Sequence, residues 1–200
     1  MAVNNETGAK MPVSEIAKLK GNAVFHTDGV QAFGKIDLKN IGADFITVSG
    51  HKIHGPKGVG ALYARKGVRL PAFIAGGGQE RGMRSGTENV PGIIGFGKAV
   101  EKACGNLEKR TAHMAEIRAY FLAGLQAEIS DIRLNGPEDP SEAVSAVLNI
   151  SFMGTRGEVL LHTLEQDNIF VSTGSACSSN KKGQSHVLSA MGLTPKEIEG

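Results

Sequence analysis

Residues 43–65 read ADFITVSGHKIHGPKGVGALYAR, and this stretch constrains the fold more than any other. An apolar run of strand length, ADFITVSG (43–50), leads into a turn rich in glycine and histidine. VGALYAR (59–65) leaves that turn as another apolar strand. Upstream, VSEIAKLK (13–20) has an amphipathic pattern that predicts a helix ending at Gly21, and AVFHTD (23–28) is a short strand ending on an acid. Helix, strand, loop and strand in this rhythm predict a layered α/β sheet, whose ligands sit beyond the strand ends.

The character changes after Pro91. Ile94, Val100, Leu107, Met114, Ile117, Phe121, Leu125 and Ile129 recur at helical spacing, so one long helix is expected, kinked near Gly105. Pro91 stands where a helix entry tolerates proline. Beyond a loop at 135–142 the pattern predicts a strand (145–152), a helix (156–168), a strand (169–174) and a last helix (184–192). The chain thus divides into residues 1–95, part of a large domain, and residues 96–200, a connecting helix with a small α+β domain. A sheet of few strands with such apolar faces leaves its edges open, and the final TPKEIEG reads as a helix start. The expectation is therefore a piece of a longer protein, cut at both ends.

Charge is nearly balanced, with 22 basic against 20 acidic residues, and no basic run interleaved with aromatics marks a nucleic-acid partner. No stretch of about 18 apolar residues suits a membrane span, and MAVNNETGAK lacks the features of a secretory signal. Two cysteines, Cys104 and Cys177, make no disulfide framework, so a reducing, cytoplasmic setting is expected. The 27 glycines cluster at 50–60, 76–78 and 82–97, beside polar motifs where the backbone must turn or approach a ligand.

Lys52 stands between His51 and His54 at the cramped end of the second strand. A lysine amine is a nucleophile only when neutral, and desolvation or neighbouring cations favour that state. A solvated turn lysine with bystander histidines has the same local sequence. A metal site on His51 and His54 is the weaker reading, because their spacing suits a helix face and Gly55-Pro56 opposes a helix; no metal is expected. GPKGVG also lacks the glycine, lysine, Ser/Thr order of a phosphate loop. In HTDGVQ (26–31), Asp28 can ion-pair with a protonated pyridine nitrogen, the pairing that makes pyridoxal phosphate an electron sink. Gln31 could donate to the ring's phenolate oxygen. Taken separately, a helix-capping aspartate and an exposed glutamine explain these two residues as well.

VNNETG, HTDGVQAFGK, SGHKIHGPKGVGALY, GGGQERGMRSGTENV and STGSACSS, in that order across residues 3–179, resemble the cysteine desulfurases. These are class V, fold-type I enzymes dependent on pyridoxal 5'-phosphate. The resemblance implies an α/β fold-type I architecture, incomplete here, with residues 1–95 belonging to the large cofactor-binding domain. It implies that Lys52 carries the cofactor, Asp28 pairs with its pyridine nitrogen, and Gln31 and Asn5 contact the ring. Ser49 and His51 would bind the phosphate, and Thr87 would reach the phosphate held by a partner subunit, so a homodimer is implied. Cys177 would be the nucleophile that takes sulfur from L-cysteine, leaving L-alanine and a persulfide for an Fe–S scaffold or a tRNA-thiolation protein. Cys104 is expected to be a packed small apolar residue.

Family features without a counterpart here are a phosphate-gripping threonine loop, a ring-stacking histidine and a carboxylate-clamping arginine past the cysteine. Arg84 is not that arginine. Two other readings share the lysine corner: a selenocysteine lyase or aminotransferase of the same class, and an inactive fragment that serves only as a binding surface.

Overall fold

The computed structural model describes residues 1–174 and 184–200. They fall into two units, Met1–Ala2 with Met11–Glu108, and Val3–Lys10 with Lys109–Gly200. No helix among the described residues is long and apolar enough to cross a membrane.

The first unit begins with helix α1 (Val13–Leu19) and a three-stranded sheet of β1 (His26–Asp28), β2 (Phe45–Ser49) and β3 (Gly60–Ala64), in the order β1-β2-β3. β1 runs parallel to β2 with Asp28 opposite Thr47, and β3 returns antiparallel with Gly60 opposite Ser49. The strand expected from residue 23 pairs only from His26. Before it, the Phe25 carbonyl bends to accept from the backbone N–H groups of both Asp44 and Phe45.

An acid lies at the entrance to β2, and it is almost wholly buried: Asp44 is 1% exposed. Its carboxylate receives the Lys20 ammonium at 2.5 Å, the Phe25 N–H at 2.7 Å and the Arg65 guanidinium at 2.5 Å. A buried charge is tolerated only when so paired. The Lys20 bond, then the Phe25 N–H and Arg65, hold this carboxyl far below the usual carboxylate range. These contacts tie the end of α1, the approach to β1 and the exit of β3 to a single point. Because the folded value lies below the unfolded one, near ~3.9, the stabilisation is complete above that pH and is lost as pH falls through the folded value. Asp44→Asn is expected to lower the melting temperature by several degrees at pH 7, with the gap to wild type closing below about pH 4, as read by calorimetry across pH.

The expected single long helix is two, α2 (Val90–Gly105) and α3 (Leu107–Glu128). Asn106, at φ −131 and ψ 39, leaves the helical region and separates them. Gly105 before it is a weak helix former, so the junction has little propensity to resist the break. On α2, Phe96, Ala99, Val100 and Ala103 form the stripe that packs on Ile53, with Phe33 completing the cluster. That phase turns Cys104 outward: it is exposed, contrary to the packed role expected of it. Asn89 caps α2 by accepting from the Gly92 N–H.

In the second unit, β4 (Ile132–Leu134) and β5 (Ile150–Phe152) pair antiparallel, Ile132 opposite Phe152. β4 was not expected, and of the strand foreseen at 145–152 only the last three residues pair. Val147 instead turns back, its N–H reaching the Val144 carbonyl. α4 (Gly157–Gln166), α5 (His186–Ala190) and α6 (Pro195–Glu199) follow, each shorter than or offset from the sequence pattern by a few residues. Residues 169–174 were expected as a strand and are not one: their backbone bonds are local, from Ile169 N–H to Leu164 and from Gly174 N–H to Ser172. Ile-Phe-Val has strand propensity, but a strand exists only by pairing, and these residues have no ladder among the described residues.

Candidate active site

Parallel pairing brings the C-terminal ends of β1 and β2 to one edge of the sheet, where ligands of such sheets bind. Asp28 is the last residue of β1, and Ser49 is the last of β2. The next four residues, Gly50–Ile53, form a single 3-10 turn that carries His51 and Lys52. Five of the polar candidates of the first unit, Asp28, Gln31, Ser49, His51 and Lys52, therefore lie at or just beyond two adjacent strand ends.

The turn is held on three sides. Gly50 N–H donates to the Val59 carbonyl at 2.9 Å, and Gly55 N–H donates back to Gly50 at 2.9 Å. His54 closes the turn in the left-handed region, at φ 66. Behind it lies α2: a Cβ built on Gly50 would stand 3.1 Å from the Phe96 ring and 3.1 Å from Val59, so the close helix–turn approach favours glycine there. Ile53, buried in the α2 cluster, anchors the turn, and its neighbour Lys52 is left half-buried. Among the described residues Lys52 has no ion-pair partner, whereas Lys20 and Arg65 of the same unit are committed to Asp44.

Asp28 is half-buried and accepts the Val30 N–H on Oδ1 at 2.8 Å. One residue on, Gly29 N–H donates to the Thr47 carbonyl at 2.8 Å, so the chain leaving Asp28 stays tied to β2. The N–H groups of Ala32 and Phe33 fold back onto the Gly29 carbonyl, and this turn presents Gln31, also half-buried. Ser49 Oγ and His51 Nδ1 lie 2.7 Å apart, a hydrogen-bonded pair of side chains beside the lysine. His26 and Thr47, joined at 3.2 Å between Nε2 and Oγ1, share this strand pair and were not singled out from sequence.

The remaining candidates lie elsewhere. Thr87 is exposed in the segment before α2, just after buried Ser85, whose N–H donates to the Ile74 carbonyl. Asn5 belongs to the second unit, in a turn fixed by Asn4. Cys177 lies outside the described residues. Among the described residues, no three or more His, Cys, Asp or Glu side chains converge as metal ligands would.

The profile of the class-V aminotransferase family matches residues 1–192. The chain belongs to this family. It is 45% identical over 204 aligned residues to "Cysteine desulfurase IscS" of Clostridium botulinum, an alignment covering all of this chain and 51% of that protein. Among solved structures, a NifS-like protein superposes with a TM-score of 0.87 at 37% identity, covering 100% of this chain and 52% of that one. A structure described as "SspA in complex with cysteine" gives a TM-score of 0.72 at 33% identity, over 98% of this chain and 55% of that one. The class V chain thus spans about half the length of the curated relatives it matches. The likeness to these structures makes its architecture that of the fold-type I, pyridoxal-phosphate-dependent enzymes.

Proposed function

We propose that this class V chain carries the lysine-bearing and sulfur-carrying parts of a cysteine desulfurase, an enzyme that removes sulfur from L-cysteine and leaves L-alanine. One observation carries the reading: Asp28 and the Lys52 turn issue from the paired ends of two adjacent parallel strands. The relatives named cysteine desulfurase, and the related structure that holds cysteine, support the substrate.

The donor set fits pyridoxal 5'-phosphate. A lysine amine with no ion-pair partner among the described residues suits an aldehyde, and the Asp28 carboxylate suits a pyridinium N–H. A Ser–His pair and a glutamine amide supply donors for phosphate and phenolate oxygens. Lys52 would hold the cofactor through its amine, Asp28 would keep the ring nitrogen protonated, and Gln31 and Asn5 would donate to the ring side. With His51 Nδ1–H donating to Ser49 Oγ, the serine would keep its own proton for a phosphate oxygen. When bound, the cofactor supplies the electron sink that weakens the substrate's bonds at carbon.

The chain's own part in sulfur transfer is a displacement at sulfur. The Cys177 thiolate attacks the substrate sulfur, an S–S bond forms as the C–S bond breaks, and the electron pair left on carbon takes a proton to give alanine's methyl group. Thiol plus cysteine becomes persulfide plus alanine, with no outside oxidant. Exposed Thr87 suits a contact to a second copy's phosphate, which makes the proposed enzyme a homodimer. An Fe–S scaffold or a tRNA-thiolation protein would take the persulfide sulfur, in the cytoplasm. The large, cofactor-binding domain would comprise residues 1–95 and the small one 96–200.

Incubation with pyridoxal phosphate, borohydride reduction and peptide mapping tests the first step. The reduced label is expected on Lys52, and its absence from that peptide in the intact protein ends this reading.

A further inference from the structure

Ile53, 4% exposed, follows Lys52 directly and ends its turn. It packs on α2 from one side. From another it meets Gly34, three positions after Gln31 and in the same unit. A Cβ built on Gly34 would stand 3.0 Å from Ile53 Cγ2 and 3.1 Å from Ala103 Cβ. One methyl of Ile53 thus abuts the backbone that leaves the Gln31 turn, and buried Ala103 of α2 backs them both. Gly34 stands at φ 71, so its backbone also favours glycine.

Both turns are stiff. Beyond Gln31, the N–H groups of Lys35 and Ile36 bond to the carbonyl of buried Ala32 at 2.9 and 3.0 Å. At its near end this segment is pressed on β2, where a Cβ on Gly29 would stand 2.8 Å from Ile46 Cγ2. The Lys52 turn is closed by the bond from Gly55 to Gly50, and Ala99 of α2 lies 3.2 Å from a Cβ built on Gly55. The two turns therefore meet twice. Their roots are joined by the β1–β2 pairing, and their far sides by Ile53 against Gly34. The first contact alone would let them splay about the strand ends; the second fixes their separation.

We infer that Ile53 is a positioning residue: its Cγ2 methyl is the spacer that sets the Lys52 turn against the Gln31 turn. This rests on the desulfurase reading for what the separation serves, and on packing alone for the spacer. Protein interiors are close-packed, so a methyl withdrawn from this contact is answered by movement of a turn. An amine and a glutamine amide that grip one small molecule tolerate little movement, since a displacement of about 1 Å can cost about a hundredfold in rate.

Two conservative variants separate spacing from bulk packing. Ile53→Val keeps Cγ2 and loses only the terminal methyl, whereas Ile53→Leu keeps the volume and loses Cγ2. Each is expected to lower the melting temperature of the intact protein by only a few degrees. With pyridoxal phosphate bound, the pH midpoint of its visible absorption should be unchanged in Ile53→Val and moved by about half a unit or more in Ile53→Leu. Alanine formation from L-cysteine should follow, with kcat down about tenfold and KM within about twofold in Ile53→Leu, and both near wild type in Ile53→Val. In protein stripped of cofactor, acetylation of Lys52 relative to exposed Lys57 should rise about threefold in Ile53→Leu alone, because a turn without its spacer opens more often.

Equal shifts in the two variants, or a larger one in Ile53→Val, would make Ile53 an ordinary core residue and overturn the inference. No shift in either would overturn it as well. A Lys52 that takes no pyridoxal phosphate sinks the desulfurase reading and leaves the acetylation ratio to judge the spacer, so the two failures are distinguishable.

Discussion

Lys52→Ala is expected to abolish retention of pyridoxal phosphate through dialysis and to lower alanine formation from L-cysteine at least about a thousandfold in the intact protein, ~4 kcal/mol of barrier. The size of the effect follows from the turn. Ile53 is buried against α2, and the bond from Gly55 to Gly50 closes the loop, so the turn holds the position of residue 52 fixed. Lys57, five residues on, lies beyond the left-handed His54 and is exposed. Far-ultraviolet circular dichroism should be unchanged, because the side chain is half-buried and forms no ion pair among the described residues. A variant that kept the cofactor and its turnover would remove Lys52 from the chemistry.

Cys177→Ala is the second large effect, and it separates activities that share the lysine corner. The variant should still bind pyridoxal phosphate and still be labelled on Lys52, yet release sulfur from cysteine about a thousandfold more slowly, again ~4 kcal/mol. Only the attack on sulfur needs the thiol; cofactor capture does not. Undiminished sulfide release would favour a selenocysteine lyase or aminotransferase of the same family, and retention of label without turnover in wild type would favour a binding fragment. Quantifying alanine, sulfide and protein persulfide in parallel makes the distinction.

The clustering of candidate residues at strand ends was more legible than the fold around them, for a physical reason. Asp28, Ser49, His51 and Lys52 sit within a few residues of strand ends, so their placement depends on local alternation and on one parallel pairing. Features that depend on distant partners were harder to read. Asp44 looks like a blemish in an apolar run, and only the arrival of Lys20 and Arg65 makes its burial tolerable. A lone acid inside a strand pattern was nevertheless a signal that cations must lie nearby. Residues 169–174 have the composition of a strand and lack its ladder among the described residues, and the kink expected near Gly105 is a full break at Asn106, which periodicity alone does not show. Cys104 was misjudged because helix phase, not residue type, decides which side of α2 is inward. Buried Glu6 accepts a hydrogen bond from Ser185 Oγ, a pairing across 179 positions that no sequence pattern gives; the visible signs were an acid in a motif and a serine just ahead of an apolar helix start.

The pairing of His26 with Phe45 and Asp28 with Thr47 also sets which changes in length the chain can absorb. Side chains alternate across a sheet, so adding one residue inside either strand would carry the carboxylate to the opposite surface from the amine and silence both. Between these strands, the crossover at 29–44 has no such parity to respect. Variation in length among natural versions should accordingly gather in that connection and spare the six paired positions.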